Sequence, residues 1–246
     1  PNSLLFSTTN NTASSPSFIF DNISWSLKSL EIDNLLKFVI IFISIFSVKV
    51  YYMRVIARLD IKNEFLIKGI NLEGLRKIGQ AKEEAINYYK NNIDEMVYID
   101  TVASLYSRDA IVDILRDSVK NIFVPITVGG GIKSLGDATN YFEHGADKIF
   151  VNTAAVSEPY IINELVKHFG KANITLSVEA KEVEKNIFNV YTSSGRDDSG
   201  KQVDEWIKEA VDRGVGEIFL TSVDNDGLQN GFNQKLIDQA LSISSV

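Results

Sequence analysis

Short apolar runs alternate with amphipathic stretches along this chain from position 53 onward. Runs rich in β-branched and aromatic residues predict strands, and apolar residues that recur every three or four positions predict helices. Strands and helices that alternate in this way are typical of βα units, which build a parallel sheet. The predicted strands are 55–61, 95–100, 124–128, 148–151, 174–179 and 217–223, and the predicted helices are 80–91, 109–120, 134–145, 158–169, 203–213 and 234–241. A polar loop is predicted up to Gly79, and one arm of a hairpin at 186–195.

Six such units fit either a (β/α)8 barrel or a doubly wound sheet. An internal repeat favours the barrel, because RVIARLDIK at 54–62 resembles NITLSVEAK at 173–181, and DEMVYIDTVAS at 94–104 resembles GEIFLTSVDNDG at 216–227. The predicted fold is therefore an α/β (β/α)8 TIM barrel of duplicated half-barrels. Because such a barrel typically takes about 250 residues, we expect 53–246 to be an incomplete barrel domain. It would hold about six of eight βα units and leave two unpaired sheet edges.

Three consecutive glycines, at 129–131, follow the third predicted strand directly. Glycines at the carboxyl end of a strand let the backbone approach a ligand closely, typically a phosphate. Asn152 and Thr153 end the next strand and are expected on the same rim. A turn that only redirects the chain is the alternative.

Residues 1–52 differ from the rest of the chain. They begin with a low-complexity polar stretch and contain an apolar run at 38–48, which is shorter than the roughly 20 residues that a spanning helix needs. We interpret this extension as a non-native segment or a weak leader, with natural translation starting at Met53. A membrane anchor is the alternative, and membrane contact is expected only if 35–52 is a real anchor.

Composition excludes several classes of function. A net charge of −7 argues against nucleic acid as a partner. The absence of cysteine rules out disulfides and thiolate metal sites, and is compatible with a cytoplasmic location. The only two histidines, His144 and His168, are expected at helix ends, so we predict no metal site and no cofactor.

Several segments resemble one known family when they are taken together. They are RLDIKNEFLIKGINLEGLRKIG, DEMVYIDTVAS, TVGGGI, GADKIFVNTAAV, YTSSGRDDSG and EIFLTSVDNDG. In order and spacing they resemble the cyclase subunit of imidazole glycerol phosphate synthase. The resemblance implies a (β/α)8 barrel that takes ammonia from a glutamine amidotransferase (glutaminase) partner in a heterodimer. It also implies a small substrate with a phosphate at each end, a phosphoribulosyl-formimino aminoimidazole carboxamide ribonucleotide, which is converted to imidazole glycerol phosphate and aminoimidazole carboxamide ribotide.

The resemblance also implies roles for individual residues. Asp60 would be the general acid and Glu179 the general base, since ring closure and bond cleavage both move protons. The residues implied in substrate and phosphate binding are Lys68, Asp100, Gly130, Gly131, Asn152, Thr153, Ser194, Gly195, Thr221, Asp224, Asp226 and Gly227. At the opposite end of the barrel, a charged ring that guards ammonia entry would comprise Arg54, Glu95, Lys148 and Glu217.

Two positions depart from the family pattern. Glu179 stands where the family has aspartate, and Arg58 stands where it has a small residue. Arg58 precedes Asp60 by two positions and therefore points to the same side of its strand. We expect it to pair with Glu179 or Asp100, which would lower the pKa of Glu179; the alternative is that it reaches solvent. These departures resemble paralogous proteins that act with an amidotransferase in surface-polysaccharide sugar amidation. That function, and an inactive fragment that only binds phosphate or a partner, are the alternatives to the cyclase.

Overall fold

The computed structural model describes residues 4–6, 54–101 and 110–243. The apolar run at 38–48 and the proposed start at Met53 lie outside these residues. Contacts divide the chain into two compact units, one of 1–10 with 55–246 and one of 11–54. In the part of the chain that the structure describes, no helix is long and apolar enough to cross a membrane.

The described elements follow the predicted βα order. The strands are β1 Leu4–Phe6, β2 Ile56–Lys62, β3 Phe65–Ile70, β4 Glu73–Gln80, β5 Glu95–Asp100, β6 Ile126–Gly129, β7 Lys148–Val151, β8 Ile174–Glu184, β9 Ile187–Thr192, β10 Asp197–Gln202 and β11 Glu217–Ser222. The helices are α1 Ala81–Lys90, α2 Ala110–Ser118, α3 Leu135–Glu143, α4 Thr153–Ser157, α5 Tyr160–Phe169, α6 Val203–Arg213 and α7 Gln234–Ile243, with a 3-10 turn at Lys171–Asn173.

Six strands form the parallel part of the sheet, in the order β11-β8-β7-β6-β5-β2. β2 and β11 stand at opposite ends of this run, yet Arg58 on β2 donates a hydrogen bond to the Thr221 hydroxyl on β11 at 3.1 Å. The sheet is therefore curled, as in a partial (β/α)8 barrel. This agrees with the predicted fold class.

The expectation of two unpaired sheet edges is not met. β1 pairs in parallel with the outer edge of β11, in the register Leu4 to Ile218. The outer edge of β2 pairs with β3 at its carboxyl end, in the register Ile61 to Leu66. Both edges of the six-strand run therefore have a hydrogen-bonded neighbour.

The segment that follows β2 was wrongly predicted as a loop. It is a hairpin of β3 and β4, and its turns contain Asn63 and Asn71 with φ of 56° and 53°. Asparagine is among the few residues that adopt this left-handed conformation readily. β4 is exposed along nearly its whole length and shows no apolar alternation, so the pattern gave no strand signal. The hairpin arm predicted at 186–195 is confirmed by the antiparallel pairing of β8, β9 and β10.

The two faces of the sheet bury different kinds of residue. The outer face packs its apolar side chains, such as Leu59 and Tyr98, against the helices. The inner face holds a separate apolar cluster of Val97, Phe150 and Phe219, in which the two phenylalanine rings stack at 6.1 Å. Polar residues flank this cluster toward both ends of the strands, and these two polar regions carry the predicted chemistry.

Candidate active site

Two adjoining cavities open at the carboxyl ends of the strands. The first has a volume of about 310 Å³ and contains the glycine turn after β6. The second, of about 180 Å³, lies under the β3–β4 hairpin. Five residues line both cavities: Arg58, Ile99, Thr101, Glu179 and Ser194. The cavities together form one elongated site with Arg58 and Glu179 at its middle.

The first cavity brings together the glycine turn and the end of β7. Gly130 and Gly131 have φ of +105° and +71°, and a Cβ at Gly130 would collide with the main-chain oxygen of Asp100. Asn152 and Thr153 lie on the same cavity wall, as predicted. Among the described residues, the buried Oδ1 of Asn152 has no hydrogen-bond partner. The wall thus offers backbone groups and an amide to a ligand.

The second cavity is built around a buried ion pair. Lys68 Nζ lies 2.8 Å from Asp226 Oδ1 and 4.0 Å from Asp60 Oδ2. The other oxygen of Asp226 accepts a hydrogen bond from the Leu72 amide at 3.3 Å. The side chain of Lys68 is 20% exposed, so the cation faces the cavity while the hairpin holds it in place.

Arg58 lies between the two cavities. Its Nε donates to Asp60 Oδ1 at 2.8 Å, and its guanidinium carbon lies 5.6 Å from the centre of the Phe219 ring. The side chain is 5% exposed, so the alternative that it reaches solvent is wrong. Sequence reasoning named Glu179 and Asp100 as candidate partners and missed Asp60. Because side chains two positions apart on a strand share a face, the spacing itself could have indicated this pair.

Glu179 is half-buried and has a shifted protonation equilibrium. Its Oε2 accepts a hydrogen bond from the Gly195 amide at 2.8 Å. Burial raises the pKa of Glu179 to about 7, against the lowering effects of Arg58, the Gly195 amide and the Asn152 side chain, while the charge of Asp60 raises it further. The expectation that Arg58 would leave this pKa lowered is therefore wrong, because desolvation outweighs the attraction of the guanidinium.

A second cluster of charges lies at the amino ends of the strands. Lys148 Nζ is 2.8 Å from Glu217 and 3.5 Å from Glu95, and the three side chains are 16%, 10% and 8% exposed. They form a nearly buried charge cluster rather than a solvated set of strand ends. Arg54, the fourth predicted member of the ring, stands two residues before β2 in the chain and belongs to the other compact unit.

The remaining predicted residues divide into two groups. Asp100 lines the first cavity, Gly195 supplies its amide to Glu179, and Thr221 binds Arg58. Asp224 and Gly227 line neither cavity. The carboxylate of Asp224 accepts a hydrogen bond from the Glu182 amide at 2.8 Å, and Gly227 packs against the backbone of Gly69. Both therefore shape the loop after β11 in this structure.

Two cations of the second cavity were not predicted from the sequence. Lys62 and Arg196 line it and are exposed on its rim. Their position near the mouth follows from the hairpin and from the turn before β10, and neither was visible as a βα pattern. In the described ranges, no group of three His, Asp or Glu side chains could hold a metal ion.

Comparison with known proteins gives one consistent result. A family model described as "Histidine biosynthesis protein" matches residues 54–246. A protein of Legionella pneumophila is 44% identical over 194 residues, which cover 79% of this chain and 92% of the relative. A protein of Helicobacter hepaticus is 41% identical over 191 residues, or 78% of this chain and 76% of the relative. Both relatives are named imidazole glycerol phosphate synthase subunit HisF.

Proposed function

Because the chain belongs to the histidine biosynthesis protein family, we propose that it is the cyclase subunit of an imidazole glycerol phosphate synthase. The proposed reaction uses ammonia from a glutaminase partner, in the cytoplasm, to convert the phosphoribulosyl-formimino aminoimidazole carboxamide ribonucleotide. The products are imidazole glycerol phosphate and aminoimidazole carboxamide ribotide. This assignment accords with the names of the relatives, which are 39–44% identical to the chain.

The observation that carries the proposal is the pair of cavities joined at Arg58 and Glu179. A substrate with a phosphate at each end needs two anion sites separated by reactive groups. The glycine turn with Asn152 and Thr153 offers the first anion site, and the Lys68 cation offers part of the second. The reacting centre would then lie at the junction, beside the two carboxylates.

Asp60 and Glu179 are the groups that we assign to proton transfer. Both line the second cavity, on strands β2 and β8. Ring closure removes protons from the incoming nitrogen, and cleavage of the C–N bond delivers one to the leaving group, so the reaction needs both an acid and a base. A carboxyl group with a pKa of about 7, as at Glu179, suits either role near neutral pH.

The charge cluster at the amino ends of the strands is the proposed entrance for ammonia. Lys148, Glu95 and Glu217 lie below the apolar cluster of Val97, Phe150 and Phe219, and the carboxylates lie above it. Neutral ammonia can cross an apolar layer more easily than ammonium can, because a charge pays a large desolvation cost there. A glutaminase docked at this end would deliver ammonia on the side opposite to the substrate.

Growth of a histidine auxotroph that lacks its cyclase tests the proposal. We expect the gene for this chain, expressed with a glutaminase partner, to restore growth without histidine. The Asp60→Asn variant should not restore growth, and a variant of the exposed Glu184, Glu184→Gln, should restore it. Failure of the unsubstituted chain to support growth, despite folded protein in the cell, would contradict the histidine-pathway assignment.

A second candidate rests on Arg58. Its buried guanidinium occupies the space between the apolar cluster and the carboxylates, and this could reshape the site for another ammonia acceptor. The candidate function is ammonia delivery, with an amidotransferase, in surface-polysaccharide sugar amidation. Chain that fails in the auxotroph but is needed for amidated polysaccharide in its own organism would favour this second function.

A further inference from the structure

We infer that Arg58 sets the proton distribution between the two carboxylates: it holds Asp60 as the anion and leaves Glu179 as the group that carries and donates the proton. The inference rests on the proposed function for its reaction, although the proton distribution can be measured without it. It reverses the roles that the family resemblance implied. Arg58 acts here as a positioning residue, because it works through Asp60.

The contacts of Asp60 favour its ionised form. One oxygen accepts a hydrogen bond from Arg58 Nε at 2.8 Å, and the other faces Lys68 Nζ at 4.0 Å. The residue is 6% exposed, so water screens these contacts little. A cation near each oxygen stabilises a carboxylate and disfavours a carboxylic acid. Asp60 is therefore suited to accept a proton rather than to donate one.

The contacts of Glu179 are of another kind. Its hydrogen bonds come from uncharged groups, namely the Gly195 amide at 2.8 Å and the Asn152 side chain. The two nearby cations are already matched by two carboxylates, since Arg58 pairs with Asp60 and Lys68 with Asp226. A third negative charge at Glu179 would have no ion pair of its own in the middle of the site.

The surroundings of Glu179 contain both signs of charge. Titratable or charged groups come from β2 (Arg58, Asp60, Lys62), β3 (Lys68), the end of β5 (Asp100), the loop after β6 (Lys133), β9 (Tyr191), the turn before β10 (Arg196) and the loop after β11 (Asp226). Lys62, Lys133 and Arg196 are exposed, so solvent screens their effect on the carboxyl group. Burial is the dominant influence, and the pKa of Glu179 is raised to about 7.

This distribution gives each carboxyl group one step. When the C–N bond to the aminoimidazole breaks, its electron pair stays on the departing nitrogen, and that nitrogen takes the proton of Glu179. When the ammonia nitrogen bonds to carbon during ring closure, the proton that it loses goes to Asp60. Proton transfer by a positioned group is the standard form of general acid–base catalysis.

The test is a pH titration of the full chain, labelled with 13C in the carboxyl groups of Glu and Asp and followed by NMR from pH 4 to 9. Glu179→Gln and Asp60→Asn assign the two resonances. We expect Glu179 to titrate near pH 7 and well above Asp60. In Arg58→Gln, loss of the nearby cation should move the Glu179 midpoint up by about 1–3 pH units. Arg58→Lys, which keeps the charge, should restore a midpoint close to that of the unsubstituted chain.

Two results would overturn the inference: an Asp60 midpoint at or above that of Glu179, or a Glu179 midpoint that does not move in Arg58→Gln. A purely structural Arg58 would change stability and leave the midpoint in place. Should Arg58→Gln not fold, Thr221→Val loosens the guanidinium by removing its 3.1 Å hydrogen bond, and should move the midpoint in the same direction by less.

A rate profile separates this inference from the proposed function. With ammonium chloride as the nitrogen source, the alkaline limb of cyclisation should follow the NMR midpoint of Glu179 and shift with it in Arg58→Gln. Titration as expected without any turnover of the phosphoribulosyl-formimino substrate supports the proton distribution and contradicts the proposed function.

Discussion

Lys68 Nζ and Asp226 Oδ1 lie 2.8 Å apart, although 158 residues separate them in the chain. The pair connects the β3–β4 hairpin with the loop after β11. Asn71 adds two backbone contacts across the same junction: its amide donates to the Asp226 carbonyl and its side chain to the Val223 carbonyl, both at 2.8 Å. The first and sixth βα units are thus joined directly above the second cavity.

Removal of the Lys68 side chain should weaken this junction. In Lys68→Ala, the Asp226 carboxylate, whose side chain is 4% exposed, loses its cation. A buried charge without a partner is costly, so we expect the free energy of unfolding in urea to fall by about 2 kcal/mol. Amide exchange in the β3–β4 hairpin should accelerate as well. The control is Lys185→Ala in the exposed β8–β9 turn, and an equal effect of both variants would contradict the role of the pair.

Glu179 should make stability depend on pH with a definite sign. Its pKa is about 7 in the folded protein and ordinarily 4.5, so the folded state binds more protons than the unfolded state between these values. The free energy of unfolding therefore falls as pH rises from about 4.5 to 7, and the loss persists above 7.

Glu179→Gln removes that loss. We expect the variant to be more stable than the unsubstituted chain by about 2 kcal/mol at pH 8, a value reduced from the full shift because Glu179 is half-buried. At pH 4 the two proteins should agree. Urea unfolding at both pH values measures this, with Glu184→Gln on the same strand as the control. A Glu179→Gln variant that is less stable at pH 8 would contradict the assigned shift.

The glycine turn offers a matched pair of substitutions. Gly130→Ala places a methyl group against the main-chain oxygen of Asp100 at a φ of +105°, so we expect a cost of about 1–3 kcal/mol. Binding of inorganic phosphate, measured by calorimetry, should weaken at least tenfold, which corresponds to about 1.4 kcal/mol.

Gly136→Ala is the control for the turn. Its methyl group would lie in the first turn of α3, 3.7 Å from the Ser134 hydroxyl, and should stabilise the protein by about 0.4–1 kcal/mol. Unchanged phosphate binding in Gly130→Ala would show that the turn only redirects the chain.

Lys148 should be the critical member of the lower charge cluster. In Lys148→Met, Glu95 and Glu217 remain nearly buried without their shared cation. We expect a loss of about 3 kcal/mol in the free energy of unfolding. Lys148→Arg keeps the charge and should lose less, and Lys208→Met on the exposed side of α6 should change stability by less than about 0.5 kcal/mol. Comparable losses in all three would contradict the cluster.

The sequence predicted the parts of the fold that have a periodic apolar pattern. The parallel strands bury one or both faces, and helices such as α3 carry a clear start, at which Ser134 accepts a hydrogen bond from the Asp137 amide at 3.2 Å. The β3–β4 hairpin lacks such a pattern because β4 is exposed. The short helix α4, directly after β7, was likewise not predicted, since its five residues are too few for a period.

The site was predictable as a set of residues on one rim, but its electrostatics were not. The alternation along β2 placed Arg58 and Asp60 on the same face, which the structure bears out with their 2.8 Å contact. The sign of the pKa shift at Glu179 depends on the balance of desolvation and nearby charges, and that balance requires distances and burial. The position of Asp224 outside both cavities depends on the bend of the loop after β11, which no sequence pattern indicated.

The most direct test of the two-carboxylate site is the rate at which ammonium chloride and the phosphoribulosyl-formimino substrate yield imidazole glycerol phosphate. The account predicts that Asp60→Asn and Glu179→Gln each lower this rate by at least about a hundredfold, whereas Glu184→Gln keeps it within about twofold. Product formation by either site variant at the rate of Glu184→Gln would contradict it.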